Sequence, residues 1–497
     1  MQQVSKLRIV ARGRCLPDSD WLNAALVSLG HHVRGNFPGP GKYDMLLVHD
    51  PSSVTRRELE SARRMGALTV LRAWHDPETC ESAANAAADY DWVLTTGLAE
   101  MVNVYAASGA RALPLLPSGP PLASSPQQCD RDIDIIFAGR LAGPERKRRV
   151  ELLSRAARRW RIAVVTEDSD DWPGAYRPCE QDLVQLHRRS RLSLHNDALA
   201  LNRLGVTRRC PGRRPFFGPN YGCALLAELN PWLTQCFDPA AELVGFSDVD
   251  HGLRCATEML EDPQRLNQIA AAGAKRCKTD HTPVNRAAQL ALLASGTVPT
   301  GMRVLALGPW YQQITLPDGE STSHLAHSNV ERWKRLEPWF PDVRGRSVLD
   351  LGMNAGFFSL MSARRGSRRV TGVERSALFC AQARFVFECW NVTNIEIVED
   401  DVLAAPAGPY DICLALALLH HFDDIGPILR LAIDRCSELV LEWEVRPSPF
   451  CHPIDKVTTL LRSAGWQLRI VSGGSRPIVL AWAKENPHYS LSAASSV

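Results

Sequence analysis

No apolar run in the 497-residue sequence approaches the roughly 20 residues needed to cross a bilayer. The first residues, Met1–Lys6, lack the apolar core of a secretory leader and run straight into the strand-like LRIVA. The 14 cysteines are scattered, with no closely spaced pairs of the zinc-ligand kind, so no structural metal is expected. Scattered thiols fit a reducing compartment, here the cytoplasm, and Cys223 and Cys413 sit in apolar runs where a thiol acts as a small hydrophobe. The net charge of +3 is too small to demand nucleic acid or an acidic membrane as partner. Low-complexity tracts are absent too. What remains is ordinary folded composition, 45% hydrophobic and 22% charged, in a chain long enough for about three domains.

The most informative stretch is Ser347–Leu360, SVLDLGMNAGFFSL. A short apolar run ends at Asp350, Gly352 and Gly356 follow, and Phe357–Met361 opens an apolar segment: strand, tight turn, helix. Glycines at such a turn let backbone N–H groups and a helix N-terminus approach a ligand. The next strand, RRVTGVE, ends in Glu374, 24 residues after Asp350. An acid at about that spacing is where a nucleotide-type ligand has its ribose hydroxyls bound. NIEIVEDDV (Asn394–Val402) reads as a third strand with Asp400 and Asp401 at its tip, suited to an adenine amino group. YDICLALALL (Tyr410–Leu419) is a fourth strand, running directly into His420, His421 and Phe422, and LVLEWEV (Leu439–Val445) is a fifth.

On these residues the stretch resembles the class I S-adenosylmethionine (SAM)-dependent methyltransferases. The resemblance implies a Rossmann-like domain over 300–485, with Asp350, Gly352, Asn354, Gly356, Glu374, Asp400 and Asp401 on the cofactor. Asn354 replaces the usual middle glycine, and asparagine tolerates left-handed turns. The leading segment GPWYQQITLPDG (Gly308–Gly319), followed by NVERWKRLEPWFPDVRGRSVLD, resembles the tRNA wobble-uridine carboxymethyltransferase-like branch, whose members use many acceptors. A ligand-free or NAD-binding subdomain is the competing reading. It is disfavoured by acids at two successive strand tips and by the poor second glycine position. His420 and His421 are candidates for taking a proton from an acceptor hydroxyl, since an imidazole titrates near neutral pH. An ordinary strand-end pair is the alternative, because many methyl transfers need only positioning.

Residues 7–120 alternate strand and helix: LRIVA, a helix at Trp21–Val33, YDMLLVHDP, RRELESARRMG, ALTVLRAWHDPE, YDWVLTTG, AEMVNVYAASGA and RALPLLPSGPP. That alternation predicts a parallel, doubly wound sheet. Pro117–Arg131 reads as a linker. A second such unit starts at DIDIIFAGRL and ends in a helical tail near Pro263–Ser295. The pair resembles the GT-B, CgeB-like glycosyltransferases over roughly 5–295, through the YDWVLTTG and DIDIIFAGR strands, the run Arg214–Glu228 and the tail AAAGAKRCKTDHTPVNRA. In retaining enzymes of that kind a glutamate near the start of the Arg214 helix holds the donor. Phe217 stands there instead and accepts no hydrogen bond. Glu228 remains as a candidate donor ligand, and Arg208, Arg209, Arg213 and Arg214 suit a nucleotide diphosphate or else form a solvated loop.

The fold expected is therefore α/β throughout: 1–120 and 130–295 as two Rossmann-like domains in GT-B arrangement, 300–485 as a methyltransferase domain, and 486–497 as a tail. The function expected is methylation of an oxygen or nitrogen of a glycan or glycosylated metabolite, with SAM and a nucleotide sugar as cofactor and donor. Two alternatives stay open: an RNA methyltransferase whose front half recognises nucleic acid, and a methyltransferase carrying a silent carbohydrate-binding half.

Overall fold

The computed structural model describes residues 5–13, 17–36, 42–74, 76, 80–121, 130–141, 146–167, 172, 174–176, 180–196, 212–323, 329–442, 452–471 and 476–483. The tail 486–497 lies outside them. The chain divides into two compact units, Met1–Pro309 and Trp310–Val497.

The first unit holds two sheets, both wholly parallel. Strands β1 (Arg8–Arg12), β2 (His32–Arg34), β3 (Met45–Val48), β4 (Leu68–Ala73), β5 (Trp92–Thr95) and β6 (Ala112–Pro114) pair in the order 2-1-3-4-5-6. All four β3 residues, MLLV, are buried, as a strand covered by helices on both faces requires. Strands β7 (Ile133–Ala138), β8 (Ile162–Val165), β9 (Ser190–His195), β10 (Ala224–Glu228) and β11 (Val244–Phe246) form the second sheet, in the order 11-10-9-7-8. Two Rossmann-like sheets in tandem are what the alternating pattern predicts.

Two boundaries differ from expectation. The helix placed at Trp21–Val33 runs Asp18–Ser28, because Gly30 (φ +89°) stops it and His32–Arg34 becomes an edge strand. Of the tail expected to close the second domain, helix Pro263–Asp280 does so, but the helix after it covers the first. Ala287, Leu290, Ala291 and Leu293 of helix Pro283–Ala294 pack with Leu22, Leu26, Ile9 and Leu47. Helix Thr300–Ala306 lies against β6 in the same unit, so the second unit begins at Trp310 rather than near residue 300.

The second unit carries β12 (Ser347–Leu351), β13 (Arg369–Val373), β14 (Ile395–Val398), β15 (Tyr410–Leu416), β16 (Cys436–Glu442), β17 (Gln467–Val471) and β18 (Ile478–Trp482). Their order is 14-13-12-15-16-18-17, with only β18 antiparallel to its neighbours. The order reverses at β12, between β13 and β15, and open α/β sheets bind ligands beyond the carboxyl ends of the strands at such a point. Two strands are shorter than expected, and a third is shifted. β14 stops at Val398, leaving the acids in the loop. β15 stops at Leu416, because Ala417 turns left-handed (φ 53°). β16 starts early and is described only to Glu442.

Buried Arg286 ties the two sheets of the first unit together. It donates from Nε to Leu116 O (2.8 Å), from Nη1 to Asp280 O (3.0 Å) and from Nη2 to His281 Nδ1 (2.9 Å). Truncation strands those buried acceptors, so Arg286→Ala should cost about 2–4 kcal/mol. In calorimetric melts we expect the first unit's transition to fall while the second unit's stays in place.

Candidate functional site

The second unit contains a cavity of about 350 Å³ at the carboxyl ends of β12, β13 and β15, within the range of small-molecule sites. Gly352 and Asn354 both take left-handed φ (70° and 55°), and the asparagine holds its turn by accepting from Ala355 N–H at Oδ1 (2.7 Å). The missing middle glycine therefore leaves the turn intact. The turn is pinned to Glu374, whose two carboxylate oxygens accept from Asn354 N–H (3.1 Å) and Ser376 N–H (2.9 Å). Each oxygen keeps a lone pair in the cavity wall, suited to accept from a pair of vicinal hydroxyls.

The sequence candidates separate here. Asp350, Gly352, Asn354, Glu374, Asp401, His420 and His421 line the cavity; Asp400 and Gly356 do not. Asp401 caps the short helix Val402–Ala404 by accepting from Leu403 N–H, whereas Asp400 points to the exposed side and accepts from Asp401 N–H. Gly356 instead opens helix Phe357–Arg364 at φ 84°, where an added Cβ would stand 2.5 Å from Phe387 Cζ. Its glycine serves packing.

Asp350 is almost wholly buried, and desolvation pushes its pKa up to about 6. Ser359 Oγ donates to it (2.6 Å), which opposes that rise, and Glu374 nearby adds to it. Two residues of the leading segment, Tyr311 and Gln312, also line the cavity. Gln312 is 4% exposed and its Oε1 accepts from Phe357 N–H (3.1 Å), the first amide of the helix that follows the turn. No sequence signal singled Gln312 out, because its partner lies 45 residues away. Arg332 was missed likewise. It lines the cavity with its guanidinium over the Phe358 ring (4.9 Å) and, with Arg335, pairs with Glu442.

His420 and His421 follow the left-handed Ala417 on a one-turn helix, their rings 4.1 Å apart. A non-glycine residue held in that conformation at a cavity wall is backbone strain of the kind that collects at functional sites.

In the first unit a smaller cavity, about 170 Å³, sits at the carboxyl ends of β7, β8 and β9, lined by Arg140, Thr166, Glu167, His187, Arg213, Arg214 and Phe217 among others. Arg214 is solvent-exposed yet stands inside the cleft. Surrounding protein, then Arg149, Arg213 and Arg140, lower its pKa. Such a cluster of guanidinium groups favours an anion. Arg208 and Arg209 lie outside the described residues. Phe217 is buried among Trp21, His187 and Tyr221 (centroids 6.3, 5.9 and 6.3 Å), a packing role. Glu228 does not line the cleft. It is 4% exposed, paired with Arg148 (2.8 Å) and accepting from Asn196 Nδ2 (2.8 Å), so the acid expected to hold a donor is already engaged.

Two family models match the chain: one described as glycosyl transferase-like over residues 146–291, and one described as a methyltransferase domain over 348–437. Among curated proteins, the tRNA U34 carboxymethyltransferase of Desulfotalea psychrophila is 28% identical over 126 residues, covering 23% of this chain and 38% of the relative. The ubiquinone biosynthesis O-methyltransferase of Neisseria meningitidis serogroup C is 30% identical over 102 residues, covering 20% and 41%. The chain thus spans about two fifths of the length of these relatives. Among solved structures, a magnesium protoporphyrin IX methyltransferase from Synechocystis with bound SAM is 22% identical, with a TM-score of 0.27 over 31% of this chain and 76% of that one.

Two outcomes test the local geometry. Gly356→Ala should destabilise the second unit by about 2–4 kcal/mol, through left-handed strain and overlap with Phe387, read by denaturant unfolding. Asp350 binds its proton more tightly folded than unfolded, so its contribution is full below pH ~4 and is lost as pH rises through about 6. The stability advantage of Asp350→Asn over wild type should widen by up to ~3 kcal/mol from pH 4 to 7.

Proposed function

The chain carries a methyltransferase domain and a glycosyltransferase-like domain, and we propose that the first of these binds SAM in the 350 Å³ cavity and methylates an oxygen or nitrogen of a glycan or glycosylated metabolite. The observation that carries the cofactor assignment is the Glu374 carboxylate, fixed by two backbone N–H groups with lone pairs left in the cavity wall. Glu374 takes the ribose hydroxyls, Asp401 the adenine amino group, and Asp350 in its ionised form the ammonium. Bound there, SAM supplies an electrophilic methyl carbon. The protein orients the acceptor in line with it and excludes water, and His420 accepts the acceptor's proton.

The glycan assignment rests on the glycosyltransferase-like match in the same chain. In that half, Arg213 and Arg214 suit the phosphates of a nucleotide-sugar donor. Two observations favour a silent, binding-only half instead: Phe217 is packed where an acceptor of hydrogen bonds was expected, and Glu228 is consumed by Arg148. A separate reading, methylation of RNA, is favoured by the tRNA carboxymethyltransferase relatives.

Calorimetry separates these. SAM should bind wild type, and Glu374→Ala should weaken it at least tenfold, the loss of hydrogen bonds to a charged group. UDP binding that Arg214→Ala abolishes supports a donor site, and its absence supports a binding-only half. Salt-dependent tRNA binding supports the RNA reading. If wild type binds no SAM, the cofactor assignment falls. His420→Ala should lower kcat with little change in SAM affinity, and an unchanged kcat removes it as the proton acceptor.

A further inference from the structure

Helix Phe357–Arg364 begins at the cavity, and a helix N-terminus there ordinarily offers bare N–H groups to an anion. In this protein three of those groups have protein acceptors. Phe357 N–H donates to Gln312 Oε1, Ser359 N–H to Asp350, and Leu360 N–H to Gly356 O. The first amide of the helix thus meets the cavity through the acceptor it donates to, Gln312.

Gln312 is the one acceptor that can pass it on. Its Oε1 faces the helix, which orients the amide and turns Nε2 the other way. The residue is 4% exposed and lines the cavity, and no described residue accepts from its Nε2. An amide donor in a cavity wall with no described protein acceptor is left to donate to whatever fills the cavity. An amide that accepts from a helix N-terminus is polarised in the sense that strengthens its own donation.

Resting on the SAM reading, we propose that Gln312 is a cofactor-binding residue whose Nε2 donates to the α-carboxylate of the methionine moiety, relaying the positive end of helix Phe357–Arg364 to it. The chemistry selects that group. The site calls for an anionic acceptor, the carboxylate is the only anion of SAM, and the carboxylates of Glu374 and Asp401 suit the adenosine portion. Asp350, which accepts from Ser359, is an acceptor and suits the ammonium on the same carbon. Gln312 thereby makes the leading segment part of the cofactor site.

The test compares ligands with and without the carboxylate, by calorimetry on the full chain. The probes are SAM, decarboxylated SAM and 5′-methylthioadenosine, against wild type, Gln312→Ala and Gln312→Glu. Gln312→Glu keeps an oxygen for Phe357 N–H and so preserves the helix cap, but places a negative charge where the donor was. We expect both variants to bind SAM at least tenfold more weakly, Gln312→Glu the more so, with the affinity for decarboxylated SAM and methylthioadenosine within about twofold of wild type. Equal losses for all three ligands would make Gln312 a structural cap and overturn the proposal. So would unchanged SAM binding in Gln312→Glu. If wild type binds none of the three, the SAM reading itself fails and the proposal with it, an outcome distinct from selective failure in the variants.

Discussion

The bond from Asn354 N–H to Glu374 joins the ends of two adjacent parallel strands through a turn that only a left-handed backbone can make. It aligns the loop after β12 with the acid after β13. Because the same carboxylate also receives Ser376 N–H, its position is set by the main chain alone. A group so held needs no reorganisation to meet a ligand, and reorganisation is what weakens most polar recognition. The left-handed turn, the tightly packed start of the next helix and the buried Asp350 all follow from closing that loop in little space. Asp350 shows the cost: removing a carboxylate from water at the floor of the site leaves it easier to protonate than it would be in solvent.

Glu374 and Glu228 make an instructive pair. Each ends a strand of a parallel sheet, each is at least nine-tenths buried, and each was expected to hold a ligand. One is anchored by backbone N–H groups and keeps lone pairs toward a cavity. The other is neutralised by Arg148 and Asn196. A buried carboxylate without compensation is too costly to keep ionised, so the partner's identity decides what the acid can still do. A backbone partner leaves the charge for the ligand; a guanidinium cancels it.

That difference marks where the sequence stops being legible. The place of Glu374 in the cavity wall could be read because it follows from local order, strand then turn then strand, and that of Asp401 because it lies just past the next strand. The alternation of strand and helix likewise carried three sheets, since parallel pairing requires it. Glu228 could not be read: Arg148 lies 80 residues away and reaches it only once the second sheet has formed. Gln312 was hidden for the same reason, 45 residues before the amide it caps. Boundaries failed where a single backbone torsion decided them, at Gly30 for the first helix and Ala417 for β15. Helix Pro283–Ala294 was assigned to the wrong sheet because its apolar face does not say which surface will cover it.

The two cavities differ in the sign of what they ask for. The first unit's cleft gathers Arg140, Arg213 and Arg214, with Glu167 the one acid against them among the described residues of its wall, and Arg140 meets that acid at 3.8 Å across solvent, where such a pair is weak. The second unit's cavity sets Asp350, Glu374 and Asp401 against Arg332 and Arg375, and Arg332 shares the Glu442 carboxylate with Arg335. The first wall is predominantly cationic and the second carries more acids than bases. At about 170 Å³ the first cleft has room for phosphates and little more. With Phe217 packed beside it and Glu228 paired away, its wall offers charge rather than carboxylate acceptors for hydroxyls. The second cavity has the volume of a small-molecule site and acceptors fixed by the main chain.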